Sequence, residues 1–175
     1  MISGDSTIKN YLKMIHILTT GGTIEGLDYT DDKGITTSNV SIAQFLQTAK
    51  VRFAYEIEQV FKKDSRSINE NDRKRLLDHI QSIKSSKILI THGTFTMEDT
   101  AEYLGKKNLA KTIVLTGSFI LGSSVKTDAP FNLGFALHAL QYLGTGVYVA
   151  MNGCIFNWNN VTKNEKLNIF ETKSY

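Results

Sequence analysis

The sequence is poor in the residues that mark disulfide-bonded, secreted or membrane-spanning proteins. It contains one cysteine, Cys154, and one proline. A lone cysteine cannot form an internal disulfide, which argues against a disulfide-stabilised secreted scaffold and favours a reducing compartment. No apolar stretch reaches the roughly 18–20 residues that a membrane helix needs, and no apolar segment near the N-terminus resembles a signal peptide. We therefore expect a cytoplasmic protein without a membrane partner.

A strong excess of charge of one sign is also absent. The net charge is +3, from 20 lysine and arginine residues against 17 aspartate and glutamate residues, and the lysines are scattered. A nucleic-acid surface would show basic residues clustered among aromatic ones, so we expect no nucleic-acid partner. The length of 175 residues and the hydrophobic content of 41% suit one globular core. We predict one domain over residues 13–175, preceded by an extension over residues 1–12.

Apolar runs alternate with helical patterns along the chain. They predict strands at 14–19, 51–61, 87–91, 112–116 and 146–151, and helices at 69–84, 98–107 and 131–143, with a capping box at 41–44 starting another short helix. This alternation implies a three-layer α/β fold of the Rossmann or flavodoxin-like type, in which helices flank a parallel sheet. Residues 154–172 predict a C-terminal hairpin or irregular strands.

Hydroxyl groups follow the predicted strands, and a lysine comes later. In open α/β sheets, ligands bind beyond the carboxyl ends of the strands. The polar residues expected there are Thr23, Ser65, Ser67, Thr94, Thr116, Ser118 and Lys163. Each hydroxyl alone has the simpler interpretation of a turn residue that bonds to its own backbone. Together, two threonines at strand ends with an available lysine point to an amide hydrolase that uses threonine as its nucleophile.

Two other interpretations of these motifs are weaker. The segment 20–23, Thr-Gly-Gly-Thr, could cradle a phosphate, but no GxGxxG fingerprint or Walker lysine accompanies it. His92 is either a general base or, as we favour, a structural histidine bonded to backbone. His16, inside an apolar strand, is expected in the core, and His79 and His138 are too scattered for a metal site. We expect no metal and no cofactor.

Several motifs together make the chain resemble a known family. Thr20-Gly-Gly-Thr23-Ile24 and the segment 91–98, Thr-His-Gly-Thr-Phe-Thr-Met-Glu, resemble the two signature motifs of bacterial-type L-asparaginases. Further matches follow in order at 64–65, 128–133, 150–152 and 161–163, so the resemblance spans about residues 14–165. It implies hydrolysis of L-asparagine to L-aspartate and ammonia through a threonyl acyl-enzyme.

The resemblance also implies a role for each matching residue. Thr23 matches the primary nucleophile, Tyr29 the assisting tyrosine of a mobile loop, Thr94 and Lys163 a second threonine with its lysine, and Ser65 the group that holds the substrate α-carboxylate. From the residues themselves, the backbone N–H groups around Gly22 and Gly93 are candidates to stabilise the oxyanion.

Phe95 is a departure from the family pattern. Family members usually place an aspartate there, which binds the substrate α-ammonium. A phenyl ring cannot accept that charge, so either another carboxylate replaces it or the substrate differs. The candidate carboxylates in this chain are Glu25, Asp28, Glu165 and Glu171.

The chain also resembles a short, single-domain form of the family, because typical members carry a second domain after the matching region. A protein of the short form would have to complete its site with its own carboxylates or with those of a partner subunit. We therefore predict a homo-oligomer, dimer or tetramer. The surface expected to associate consists of Ile155, Phe156, Trp158, Ile169 and Phe170.

Three function classes follow from these observations. The first is hydrolysis of the small-molecule amide L-asparagine. The second is the same threonine and lysine chemistry on another amide, such as glutamine or an amide without a free α-amine, which Phe95 favours. The third is a non-catalytic binding module, against which the joint presence of Thr23, Thr94 and Lys163 argues.

Overall fold

The computed structural model describes residues 14–28, 36–37 and 40–173. The predicted extension 1–12 and Tyr29 lie outside these residues. The strands are β1 Ile15–Gly21, β2 Leu27–Asp28, β3 Thr36–Thr37, β4 Tyr55–Lys63, β5 Lys87–Thr91, β6 Thr112–Thr116, β7 Gly146–Met151, β8 Cys154–Asn157, β9 Thr162–Asn164 and β10 Ile169–Glu171. The helices are α1 Ile42–Thr48, α2 Glu70–Ser82, α3 Met97–Gly105 and α4 Ala129–Tyr142.

Six strands form one mixed sheet in the order β4-β1-β5-β6-β7-β8. The first five are parallel, and β8 pairs antiparallel with β7 at the edge. The predicted α/β fold is therefore confirmed, and so is a C-terminal hairpin, formed by β9 and β10. The sequence did not predict that β8 joins the main sheet, because its pairing with β7 depends on a partner strand rather than on its own pattern.

Apolar side chains of the central strands point alternately to two cores. One core receives Leu76 and Ile80 from α2 and Leu104 from α3. The other lies on the opposite face, under α1 and α4, and receives Leu46 and Leu133. Because β1, β5 and β6 are covered on both faces, they read as continuous apolar runs.

Most predicted boundaries agree with the structure. The bounds of β5, β6 and β7 match to the residue, whereas β4 begins at Tyr55 and not at residue 51. The predicted capping box is present at Ser41 before α1, and the structure has a second one at Asn69 before α2. None of the helices in the described ranges is long and apolar enough to cross a membrane.

The predicted association surface near the C-terminus is wrong. Phe156 and Phe170 are buried in the core beneath α3. Trp158 is partly buried against the same core, and Ile169 is half-buried. Only Ile155 of the five is exposed. The reason is that β8 is a sheet strand whose Phe156 faces the core, and that Phe170 packs in the same core.

Two helical glycines test the packing of this fold. A Cβ at Gly105, in α3, would overlap the Trp158 ring, whereas a Cβ at Gly134, in α4, meets nothing within 4 Å. We expect Gly105→Ala to destabilise the protein by about 1–3 kcal/mol through overpacking. Gly134→Ala should instead stabilise it by about 0.5–1 kcal/mol, because alanine favours the helix. Urea denaturation of both variants checks this pair; equal shifts in one direction would contradict the packing.

Candidate active site

Three of the predicted site residues follow three adjacent strands. The order β4-β1-β5 places the ends of these strands side by side. Ser65 follows β4, Thr23 follows β1 and Thr94 follows β5. Since the strands are parallel, their carboxyl ends lie at the same edge of the sheet, which is where ligands bind in such folds.

The turns that carry Thr23 and Thr94 touch each other through glycine backbone. Gly22 has a φ of 84°, in the left-handed region, and a Cβ there would lie 2.7 Å from both Cα and N of Gly93. No side chain therefore fits between the two turns. A Cβ at Gly93 would in turn lie 2.5 Å from Ser65 Oγ. The three segments are thus packed together at backbone distance.

Ser65 is fixed to the segment that carries Thr94. It is buried in a short 3-10 turn that Asp64 caps. Its Oγ accepts the Phe95 N–H at 3.2 Å, and its carbonyl accepts the Thr96 hydroxyl at 2.6 Å. These bonds hold Ser65 beside the entrance to α3.

Thr23 begins a 3-10 turn, Thr23–Glu25, and is partly exposed. Its carbonyl accepts the N–H of Gly26 at 3.0 Å and of Gly122 at 2.9 Å. The segment after β6 therefore also packs on this turn. Thr94 is 7% exposed. Thr23, Ser65 and Thr94 are thus on segments that the structure brings together.

Lys163 reaches the same region from β9. Its N–H donates to Glu98 Oε2 at 3.0 Å, and its Nζ lies 3.8 Å from the centroid of the Phe95 ring. No hydrogen bond joins Nζ to Thr94 within the described ranges. Partial burial lowers the pKa of Lys163, while the charges of Glu165 and Glu98 oppose that shift.

Phe95 is the exposed centre of a cationic neighbourhood. The residue is 48% exposed. The Arg66 guanidinium carbon lies 5.0 Å from the ring centroid, and Arg66 is itself paired with Asp64. Both distances, to Arg66 and to Lys163, are those of cation–π contacts. A position that carries a carboxylate in the family pattern thus adjoins two cations here.

His92 holds the peptide between Gly93 and Thr94. Its Nδ1 lies 2.7 Å from the Gly93 carbonyl, which can only accept, so Nδ1 carries the proton. Its Nε2 then accepts the Thr100 hydroxyl at 3.0 Å, and Thr100 Oγ1 accepts from Arg73 Nε at 3.2 Å. Complete burial lowers the pKa of His92 to about 4. The ring is therefore neutral near pH 7 and is bonded on both sides, as a structural histidine is.

This arrangement orients a backbone donor. The C=O and N–H of a trans peptide point in opposite directions. Because His92 binds the Gly93 carbonyl, the Thr94 N–H points away from His92.

His16 differs from His92. It is buried on β1, and the carboxylates of Glu56 and Glu58 lie within 3.7 Å of its ring nitrogens. No metal-binding cluster occurs in the described ranges.

The remaining predicted hydroxyls are divided. Thr116 donates to the Ala150 carbonyl at 2.9 Å, which is the simple structural interpretation. Ser67 is exposed. Ser118 is 1% exposed, and its Oγ has no partner among the described residues.

Two of the candidate carboxylates, Glu25 and Glu171, bond to groups other than Phe95 and its cations. Glu25 is buried and accepts the Gly21 N–H at 2.7 Å. Glu171 accepts from Asn164 at 3.3 Å. Glu165 is exposed, and the side chain of Asp28 lies outside the described residues. The carboxylate that sequence reasoning missed is Glu98, which binds the Lys163 backbone; its place directly after the motif methionine was the available signal.

Comparisons with known proteins agree with this geometry. A family model, "Asparaginase, N-terminal", matches residues 14–174. L-asparaginase 2 of Escherichia coli is 31% identical over 188 aligned positions, covering 99% of this chain and 53% of that protein. The glutaminase-asparaginase of Pseudomonas fluorescens is 33% identical, covering 89% and 46%. The structure of a probable cytoplasmic L-asparaginase from Campylobacter jejuni superposes with a TM-score of 0.76 at 27% identity, covering 91% of this chain and 51% of that one. The chain thus spans about half the length of these relatives.

The buried His92 makes stability depend on pH. Its pKa is about 4 in the folded protein against an ordinary value of 6.5. The unfolded chain binds more protons between these values, so stability falls as the pH drops from 6.5 towards 4, by up to about 1.4 kcal/mol per pH unit. We expect His92→Asn, which keeps a donor for the Gly93 carbonyl, to lose this contribution. Urea unfolding of both proteins at pH 4.5, 5.5 and 6.5 checks it; parallel pH dependences would contradict it.

Proposed function

This chain belongs to the asparaginase family, and from that premise we propose that it hydrolyses the side-chain amide of L-asparagine to L-aspartate and ammonia, with Thr23 as the nucleophile. The observation that supports this most is the backbone contact between Gly22 and Gly93, which brings the turns of Thr23 and Thr94 together beside Ser65. We further propose that the residues from 13 onwards form one domain of the family's N-terminal type.

In the proposed reaction, Thr23 Oγ attacks the amide carbon and loses its proton. The tetrahedral oxyanion is stabilised by backbone N–H groups around Gly22 and Gly93, worth on the order of 3 kcal/mol for each donor. The amide nitrogen takes up this proton as the intermediate collapses, leaves as ammonia, and an ester remains on Thr23. Water then cleaves the ester, releasing aspartate and the free hydroxyl. Tyr29 is proposed to assist Thr23.

Lys163 is proposed to act with Thr94. A hydroxyl is a weak nucleophile until a neighbouring base accepts its proton, and a lysine serves only when its pKa is lowered. Partial burial acts on Lys163 in that direction. Because its Nζ lies against the Phe95 ring, the lysine side chain must rotate before Nζ can accept the proton of the Thr94 hydroxyl. Ser65 is proposed to bind the substrate α-carboxylate.

Phe95 and its neighbours favour a second candidate function. A substrate ammonium placed between the cations of Lys163 and Arg66 would be repelled, and burying it unpaired costs several kcal/mol. An amide without a free α-amine, such as an N-acylated asparagine, avoids that cost. The same Thr23 chemistry would then act on a different substrate.

The cytoplasmic location and the homo-oligomer remain predictions. The single cysteine favours a reducing compartment. Because Phe156 and Phe170 are buried in the core, the association surface predicted near the C-terminus has no support.

The first activity test concerns the nucleophile and the lysine. We expect Thr23→Ala, Thr94→Val and Lys163→Met each to lower turnover of asparagine at least ~10³-fold, because each removes a group that moves a proton or forms the ester. Thr145→Val and Lys74→Met, at exposed positions away from the site, are matched controls. Ammonia release and circular dichroism are measured together. Full turnover by a folded Thr23→Ala protein would exclude it as the nucleophile.

The second activity test compares asparagine, glutamine and N-acetyl-asparagine as substrates. We expect asparagine to be preferred, with glutamine slower by ~10–200-fold because a methylene misfit costs ~1–3 kcal/mol. Phe95→Asp should lower the KM for asparagine by restoring a carboxylate, whereas Phe95→Leu should not. Preference for the acetylated compound would replace the proposed substrate with the second candidate. Release of ammonia from none of them would support a non-catalytic binding module.

A further inference from the structure

Glu25 is a buried carboxylate that the proposed chemistry does not use. It is 7% exposed and ends the 3-10 turn that begins with Thr23. Its side chain folds back, and Oε2 accepts the Gly21 N–H at 2.7 Å. The bond spans four residues of sequence and encloses Thr23. An ionisable side chain buried beside a candidate nucleophile needs a physical reason.

The strand geometry explains why a carboxylate is needed at this point. The pairing of β1 with β4 shifts register between Thr19 and Gly21. Gly21 itself has a φ of 95°, and a Cβ there would meet the Lys63 backbone. Such a bulge takes a residue out of the regular hydrogen-bond ladder. Glu25 supplies an acceptor to the Gly21 N–H at this irregularity.

The same carboxylate connects the turn to the neighbouring strand. Thr91 Oγ1, at the end of β5, lies 3.4 Å from Glu25 Oε2, and Thr20 Oγ1 donates to the Thr91 carbonyl at 2.8 Å. Three residues after Thr91 comes Thr94. Glu25 thus contacts both the turn of the first threonine and the strand that leads to the second.

We propose that Glu25 is a positioning residue, whose carboxylate closes the turn from Gly21 to Glu25 and fixes Thr23 relative to the end of β5. This proposal rests on the proposed function for its effect on catalysis. Its structural part, the bond between the carboxylate and the Gly21 N–H, stands apart from any activity.

The charge of Glu25 makes this device sensitive to pH. Burial raises the pKa of Glu25 above its usual value of 4.5. The opposing influences are weaker: the hydrogen bonds from Gly21, Thr19 and Thr91, and the charge of Lys62 on β4. Below its pKa the protonated carboxyl is a poorer acceptor, so the turn should loosen as the pH falls.

The test uses three variants of the full chain. Glu25→Gln keeps an acceptor oxygen but takes up no proton, Glu25→Ala removes the acceptor, and Glu70→Gln at an exposed position is the matched control. We expect Glu25→Ala to lower kcat by ~10²-fold, because misplacement of a reacting group by about 1 Å has that cost. Its KM should stay within about threefold. Glu25→Gln should keep kcat within about tenfold and lose an acid limb of kcat that the wild-type and Glu70→Gln proteins share.

A second readout is independent of catalysis. The amide resonance of Gly21 should shift as the wild-type protein is titrated from pH 8 to pH 4, and it should not shift in Glu25→Gln. If the wild-type protein hydrolyses no amide but this titration is seen, the proposed function fails, while the proposed bond between the Glu25 carboxylate and the Gly21 N–H is supported. A Gly21 resonance that titrates equally in both proteins, or a folded Glu25→Ala protein with kcat within twofold of wild type, would overturn the proposal.

Discussion

The candidate site depends on the close approach of two backbones, at Gly22 and Gly93. A methyl group at either position would collide with the other turn or with Ser65. This contact requires the left-handed φ of Gly22, a conformation that glycine adopts at little cost. It also requires β1 and β5 to be neighbours in the sheet, which they are. Without the left-handed φ of Gly22, or without the pairing of β1 with β5, the turns of Thr23 and Thr94 would not lie together.

The remaining segments of the site are held by two side chains at the start of α4, Asp128 directly before the helix and the buried Asn132 in its first turn. Asp128 accepts the N–H groups of Phe119 and Ile120, and Asn132 donates to the Gly117 carbonyl. Asn132 Oδ1 also accepts the Asn152 N–H. The segments after β6 and β7 are therefore bound to one helix, and the loop after β6 in turn reaches Thr23. Because the bond from Asn132 to the Gly117 carbonyl is buried, breaking it would leave an unpaired polar group and cost about 1–3 kcal/mol.

Local pattern sufficed to predict the central strands, but not the contacts between distant segments. The runs that form β5, β6 and β7 are apolar and end in polar residues, so their bounds could be read from the sequence. The inward orientation of the Glu25 side chain could not be predicted. Its role as an acceptor depends on a bulge in β1, which the sequence pattern does not indicate. The contact of Lys163 with Phe95 was also missed, because it depends on where the β9–β10 hairpin docks. Tyr29 lies outside the described residues and stays a prediction.

The physical tension in this site is between Phe95 and Lys163. A ring at 3.8 Å from Nζ favours the charged ammonium, whereas partial burial favours the neutral amine. In the family pattern the residue after the second threonine is acidic, and a carboxylate there would hold the lysine charged more strongly than a phenyl ring does. The replacement by Phe95 therefore removes a partner for a substrate ammonium and at the same time eases deprotonation of Lys163. Under the proposed function, the first effect weakens the binding of asparagine and leaves a substrate without an ammonium unaffected, whereas the second effect acts equally on both.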